Sequence, residues 1–340
     1  MNNIKSPTVT VFMAVYNGEK YIKEAIESVL NQSYTDFELL IVNDGSTDGT
    51  LNIIAGFVDP RIRLLHNDGN KGLTYTRNHG VREARGKYFA ILDSDDIAMP
   101  KRLKLQVEFM ENHPSVAICG GQAVFIDGQS NEMTGYRVPI GENISHWLVI
   151  HNAFINSTLM IKTSVMREMG GYREMAPAED YDLSFRISFK YQVANLSEKL
   201  VAYREHGNNI SRLQTEKLSN AECQIIEHIH SCLNIPLDQE LIKIHHNVLK
   251  YNVEQTSIND FERLLERLRA ANIEVKAYAV QPFNKFLFEA WFNILRAKKE
   301  RNIVTLFFRK PFFDWSFVTF KQLRKIFKQS FFSYLSFLKK

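Results

Sequence analysis

A chain of 340 residues, 45% of them hydrophobic, has room for one large domain or two ordinary ones and can bury a sizeable core, which excludes a disordered polymer. The formal net charge of +4 is too small for a dedicated nucleic-acid binder, yet it is unevenly spread: from Arg301 to Lys340, nine Lys or Arg stand against the single Asp314. Cys119, Cys223 and Cys232 fit neither a disulfide framework nor a metal knuckle and read as reduced thiols. The opening MNNIKSPTVTVFMAVYN lacks the basic head and apolar stretch of a signal peptide, and no run of about 18 uninterrupted apolar residues occurs. A cytoplasmic location is expected.

The first half alternates strand-like and helix-like patterns at short intervals, which predicts βαβ units and a mostly parallel sheet. TVTVFMAVY reads as a buried strand. After Asn17 and Gly18, the residues Ile22, Ala25, Ile26, Val29 and Leu30 recur at helical spacing. FELLIVND is a second strand, and in GSTDGT the residues Ser46, Thr47 and Asp48 can cap a helix through Ile53 and Ile54. RIRLLH gives a third strand, GLTYTRNHGVREA a helix and KYFAILD a fourth strand. Each strand ends in polar residues: Tyr16 and Asn17, Asn43 and Asp44, His66 and Asn67, Asp93 and Asp95. Ligands of open parallel sheets bind beyond the carboxyl ends of the strands, so these ends are expected to share one crevice.

From Val116 to about Val138 the pattern is glycine-broken and strand-like. NSTLMIK then gives a strand, EDYDLSFRISFK a helix and VANLSEKLVAYREH a strand or hairpin. Beyond about Arg212 the texture turns to helical periods, as in DFERLLERLRAANI. The expected division is therefore residues 1–212 as an α/β domain, 213–300 as a helical region and 301–340 as a basic tail with ten Phe.

In YFAILDSDDIAMP an apolar strand ends in Asp93, Asp95 and Asp96. Gathered carboxylates disfavour one another's ionisation unless something offsets the repulsion. A divalent cation would do so, since Asp-x-Asp suits Mg2+ or Mn2+, with water and phosphate oxygens completing the shell. The alternative is that Asp95 and Asp96 cap a helix beginning near Pro100.

VFMAVYNGEKYIKEAIESVLNQSYTDFELLIVNDGSTDGT, then NKGLTYTRNHGVREARGKYFAILDSDD, then AEDYDLSFRI resembles, segment by segment and in order, the family 2 glycosyltransferases with the GT-A fold, over roughly Thr8 to His206. The resemblance implies an α/β, Rossmann-like and mostly parallel sheet flanked by helices, here with a C-terminal helical extension. It implies a UDP-sugar donor. Val15, Tyr16 and Asn17 would lie beneath the base, and Asp44 would accept a hydrogen bond from a pyrimidine imide N–H. Arg77 and Asn78 would reach the base or the phosphates. Asp93 would contact ribose and metal, with Ser94 beside it in the donor site. Asp95 would be the principal ligand of Mg2+ or Mn2+, and His206 would lie near the diphosphate or the metal. Asp180 resembles the family's general base, with Glu179 a neighbour of donor or acceptor sugar; both also suit the cap of a helix. One carboxylate base without a second carboxylate as nucleophile implies direct displacement with inversion, unlike retaining glycoside hydrolysis. The Gln-x-x-Arg-Trp motif and membrane spans of the processive synthases are absent, which implies transfer of one or a few sugars. The acceptor implied is a saccharide or lipid-linked saccharide of a surface glycan such as lipopolysaccharide, O-antigen or capsule.

Near the C-terminus, Phe320, Leu323, Phe327, Phe331, Tyr334 and Leu338 recur at helical spacing with Lys321, Arg324, Lys325 and Lys328 between them. An aromatic face opposite a basic one suits the anionic inner face of the cytoplasmic membrane; an ordinary helix packing its stripe inward is the alternative. Three other classes fit the residues less well. A nucleotidyltransferase would carry a glycine- and lysine-rich phosphate loop, which AVYNGEKYI is not. A dehydrogenase would need G-x-G-x-x-G after its first strand. An inactive binding module of the same fold would have little use for Asp93, Asp95 and Asp180 together.

Overall fold

The computed structural model describes residues 6–207, 213–298 and 302–338, with side chains for all of these except 253 and 332–338. Residues 1–148 and 152–221 gather into one unit, and 149–151 with 222–340 into another. The division thus falls some residues after Arg212, itself outside the described residues, and the helical region and the basic tail belong to the same unit.

The first unit begins β1 (Val9–Val15), α1 (Ile22–Leu30), β2 (Phe37–Asn43), α2 (Thr50–Ala55), β3 (Ile62–His66), α3 (Leu73–Glu83) and β4 (Tyr88–Ile91). These follow the alternation read from the sequence. β1 and β2 are apolar nearly throughout because both their faces are covered, as parallel strands require. One face of α1, Ile22, Ala25, Ile26 and Val29, packs into the same core as Val11, Met13, Leu39 and Ile41. Then come β5 (Ile97–Ala98), α4 (Arg102–Asn112), β6 (Val116–Ile126), β7 (Glu132–Met133), β8 (Gly141–Glu142), β9 (Met160–Lys162), α5 (Thr163–Glu168), α6 (Glu179–Ser188) and β10 (Gln192–Arg204).

All ten strands join one sheet, ordered β3-β2-β1-β4-β9-β6-β10-β5, with β7 on β6 and β8 on β10. The β3-β2-β1-β4 half is wholly parallel. β9 breaks the pattern, running antiparallel to both β4 and β6. The stretch from Val116 is one long strand, and the expected strand or hairpin of VANLSEKLVAYREH is a single strand parallel to β6 whose register shifts occur near Asn195 and Lys199.

The second unit holds α7 (Thr215–Cys232) from Glu222 onward, α8 (Gln239–Leu249), α9 (Ile258–Val275), α10 (Val280–Lys298), α11 (Ile303–Phe307) and α12 (Phe320–Leu338). Asp238 caps α8, and Ser257 with Asp260 forms a capping box on α9. The core is rich in aromatic rings: Phe261, Phe283, Phe288 and Trp291 are fully buried, and the indole N–H donates to the Leu306 carbonyl at 3.1 Å. Much of the tail's aromatic content belongs here, because Phe307, Phe312, Phe313 and Phe317 are buried. Among the described residues no helix is long and apolar enough to cross a membrane.

Candidate active site

The first strand end is a tight junction. A Cβ on Gly18 would stand 2.7 Å from Val15 Cγ2 and 3.6 Å from Ser94 Oγ, so the turn after β1 lies against the turn after β4. Tyr16 is half exposed. Asn17, at a φ of 51°, receives the Thr47 N–H on its Oδ1 at 2.8 Å, and its own N–H donates to Ser46 Oγ at 3.0 Å. Ser46 and Thr47 therefore tie the end of β1 to the end of β2. Asp48 alone of the GSTDGT triplet serves α2, receiving the Thr50 N–H at 3.0 Å.

Asp44, just past β2, is buried and already engaged. Its Oδ1 accepts from Asn67 Nδ2 at 2.7 Å and from the Lys71 N–H at 2.8 Å, and its Oδ2 from the Gly72 N–H at 2.9 Å. Gly45 lets this happen: its φ is +76°, and a Cβ there would meet the Gly69 carbonyl carbon at 2.7 Å. Asn67 passes the contact on to His79 Nδ1 at 2.7 Å, so the ends of β2 and β3 are joined to α3.

The three aspartates after β4 are relieved of their repulsion in three different ways. Asp93 takes the Arg77 guanidinium at 3.3 Å, Asn156 Nδ2 at 3.1 Å and the Ser157 hydroxyl at 3.0 Å. Asp95 Oδ2 lies 2.9 Å from His206 Nε2. Asp96 is buried, and burial, reinforced by Asp95 and then Asp93, pushes its carboxyl well above the usual carboxylate range. Its Oδ1 accepts the Arg204 N–H at 2.7 Å. None of them caps a helix: α4 begins at Arg102, beyond the intervening β5.

Arg77 is the hub of the neighbouring cluster. Its buried guanidinium is paired with Glu179 and with Asp93, and it lies over the Tyr172 ring at 5.5 Å. Burial opposes its charge, but Glu179, then Asp93, more than restore it. Glu179 and Asp180 open α6, where the helix dipole favours acidic groups, although neither side chain caps the helix and Ala178 stands at the N-cap. Asp182, one turn on, is paired with Arg186 at 2.8 Å. Asp180 receives Asn152 Nδ2 at 3.2 Å. Burial raises its carboxyl above the ordinary range, with Arg77 pulling the other way. Burial raises Glu179 as well, again against Arg77.

Asn78 stands apart from these groups. Both ends of its amide engage the Tyr172 main chain, at 2.8 Å each.

Sequence reasoning passed over Asn152, Asn156, Ser157 and Arg204. Asn156 and Ser157 precede the reversed strand β9, which starts beside the end of its antiparallel partner β4, so the two side chains are delivered to Asp93. Arg204 is buried at the end of β10. It donates to the Asp95 carbonyl at 2.8 Å, Ser130 Oγ at 2.9 Å and Glu24 at 2.6 Å, and stacks on Tyr21, which itself stacks on His206 with ring centroids 5.2 Å apart. An arginine two residues before a histidine at a strand end was the one local signal available.

Residues 10–174 match the family described as Glycosyl transferase family 2. An uncharacterized glycosyltransferase of Methanocaldococcus jannaschii is 34% identical over 227 residues, covering 64% of this chain and 78% of that protein. The chain belongs to glycosyl transferase family 2. The protein is thus a glycosyltransferase. Its fold is shared by solved structures: S. aureus TarS residues 1–349 in complex with UDP-GlcNAc, with a TM-score of 0.59 and 16% identity over 98% of this chain and 92% of that one, and the mannosyltransferase PcManGT of Pyrobaculum calidifontis in complex with GDP-Man and Mn2+, with a TM-score of 0.53 and 16% identity over 96% and 87%. In this glycosyltransferase the turn after β4, with Asp93 and Asp95, and the first turn of α6, with Asp180, belong to one unit.

Proposed function

We propose that the protein transfers a hexose or N-acetylhexosamine from a UDP-sugar to a saccharide or lipid-linked saccharide of a cell-surface glycan, such as lipopolysaccharide, O-antigen or capsule. Transfer is metal-dependent, proceeds with inversion and takes place at the inner face of the cytoplasmic membrane. The observation that carries the mechanism is the division of labour in the first turn of α6. Glu179 is committed to Arg77 and Asp182 to Arg186, so among the described residues Asp180 is the acidic group of this turn that no arginine pairs directly. One carboxylate, held by Asn152 and made more basic by burial, can take the proton of an acceptor hydroxyl as that oxygen attacks the anomeric carbon. With the neighbouring carboxylates of Glu179 and Asp93 committed to Arg77, Asp180 acts alone as the base, and a single displacement inverts the centre.

The donor set suits a divalent cation. Asp95 Oδ2 and His206 Nε2 are 2.9 Å apart. That is close to the ~3 Å separation of adjacent ligands on an ion with bonds of about 2.1 Å. No three such ligands already converge among the described residues; Asp93, two positions before Asp95 and partly exposed, would have to turn from Arg77, Asn156 and Ser157 to join the pair. Mn2+ or Mg2+ bound there would supply positive charge against the departing diphosphate. Arg204 and Tyr21 hold Asp95 and His206 in place, while Arg77 and Asn156 orient Asp93. The UDP-GlcNAc complex of the TarS fragment and the Mn2+ complex of PcManGT support the donor class and the cation.

The test is calorimetric titration with UDP-sugars, UDP, GDP and dTDP, each with Mn2+ and with EDTA, followed by turnover of Asp180→Asn. The variant should bind the UDP-sugar as the parent does and lose about 10² to 10⁴ in transfer rate. Transfer near the parent rate removes Asp180 as the base; no nucleotide binding in any condition removes the donor reading. Because the carboxyl is raised, activity should fall with decreasing pH at a higher pH than an ordinary aspartate would produce.

A further inference from the structure

α12 has three sectors, not two. At about 100° per residue, Phe327 and Phe331 project within about 20° of Phe320, on either side of it. Arg324, Lys328, Lys321 and Lys325 follow on one flank, between about 40° and 140°. On the other flank, Ile326 and Leu323 face inward, and Ile326 is wholly buried. The aromatic edge is left in solvent: Phe320 is 82% exposed, Phe327 52% and Phe331 60%. The basic sector therefore adjoins the aromatic one, where the sequence pattern had suggested that it lay opposite. The side chains of Tyr334 and Leu338 lie outside the described residues.

Among the described residues no acidic side chain pairs with Arg296, Lys321, Arg324 or Lys325. The like charge of Arg296, with Lys321 and Arg324 behind it, holds the Lys325 ammonium below its usual range. α12 itself contains no Asp or Glu.

We propose that this aromatic edge and the basic sector beside it dock the protein on an anionic lipid bilayer. The occupant follows from both sectors together. A second copy seated edge to edge would bring Lys321, Arg324 and Lys325 against their own copies with no acid on either helix, and a nucleic acid would satisfy the charge but leave the rings in water. A bilayer interface accepts both, because the rings enter the headgroup boundary while the lysine and arginine stems reach sideways to lipid phosphates. The inference deepens the lipid-linked acceptor reading and is measured without donor, so that each can fail alone.

The experiment is co-sedimentation of the full chain with vesicles of phosphatidylcholine alone or mixed with phosphatidylglycerol, at low and high salt. Binding should require phosphatidylglycerol and weaken with salt. Lys321→Glu, Arg324→Glu and Lys325→Glu together should weaken it on the order of a hundredfold, as three basic residues near an anionic surface imply. Phe320→Ser with Phe327→Ser should abolish it, while the circular dichroism spectrum and the thermal melt of both variants stay those of the parent and report that they are folded. Equal binding to both vesicle types, or parent-level binding by the charge-reversed variant, overturns the proposal. So does sedimentation analysis in which the serine variant turns a dimer into a monomer with vesicle binding intact, because that assigns the edge to a second copy.

Discussion

Arg77→Met is expected to destabilise the sheet unit more than any exposed substitution could. The guanidinium side chain is 6% exposed and its partner Glu179 1%. Glu179 Oε2 has no hydrogen-bond partner even in the intact site, so removing Arg77 leaves the whole carboxylate buried and unpaired. Breaking a buried ion pair from one side costs about 3–5 kcal/mol. For a unit of this size each kcal/mol lowers Tm by about 2–4 °C, so a fall of roughly 10 °C is expected. The sign with pH is fixed as well. Burial holds the folded-state carboxyl of Glu179 above its unfolded value, and without Arg77 it rises further, so the variant regains stability as pH falls and Glu179 is protonated. Calorimetric melts at pH 8 and pH 5 should therefore show a larger deficit at pH 8, and adding Glu179→Leu should recover most of it. A variant that melts within about 2 °C of the parent, or whose deficit is the same at both pH values, would refute the buried-hub argument.

Arg204→Lys keeps the charge but loses the planar fork that reaches the Asp95 carbonyl, Ser130 and Glu24 together. Donor affinity in the presence of Mn2+ should fall about tenfold by titration calorimetry, as for other groups that orient metal ligands; unchanged affinity removes Arg204 as a positioning residue. In the helical unit, burial holds His245 down to about 3 and His230 to about 4, and His230 Nε2 lies 3.0 Å from His245 Nδ1. Both are neutral in the fold and protonate more readily when it opens. Their stabilisation is complete above the unfolded value near 6.5 and drains away as pH falls toward the folded values. Urea melts should lose on the order of 2 kcal/mol per histidine between pH 6.5 and 5, and a flat profile would contradict their burial.

The parallel half of the fold is legible because its strands are largely apolar runs ended by polar residues and its first helix shows its own period; Val9–Val15 and Ile22–Leu30 are examples. The reversal at β9 is not legible, since Met160–Lys162 is three residues long and nothing in so short a run encodes direction. The site divides in the same way. Asp93, Asp95 and Asp180 announce themselves by local clustering, whereas Arg204 and Asn156 matter through partners 109 and 63 residues away, a pairing that no local pattern holds. In the tail the spacing of Phe320, Phe327 and Phe331 was readable. Which of ten phenylalanines would face water depended on the helices that bury Phe307, Phe312 and Phe313.

The clamp at Asp44 also bears on how this enzyme could change its preferences. Asp44 holds the loop after β3 through the Lys71 and Gly72 main-chain N–H groups and, among side chains, through Asn67. Asn70 Oδ1 shares the Gly72 N–H at 3.1 Å, but none of these contacts uses the side chains of Asp68 and Lys71, so the shape of the rim is insensitive to what those two are. Those positions can drift, and new donors or acceptors can be tried beyond the ends of β2 and β3, without the backbone having to be redesigned. Gly45, Gly69 and Gly72, at φ of 76°, 77° and 89°, are where such drift must stop.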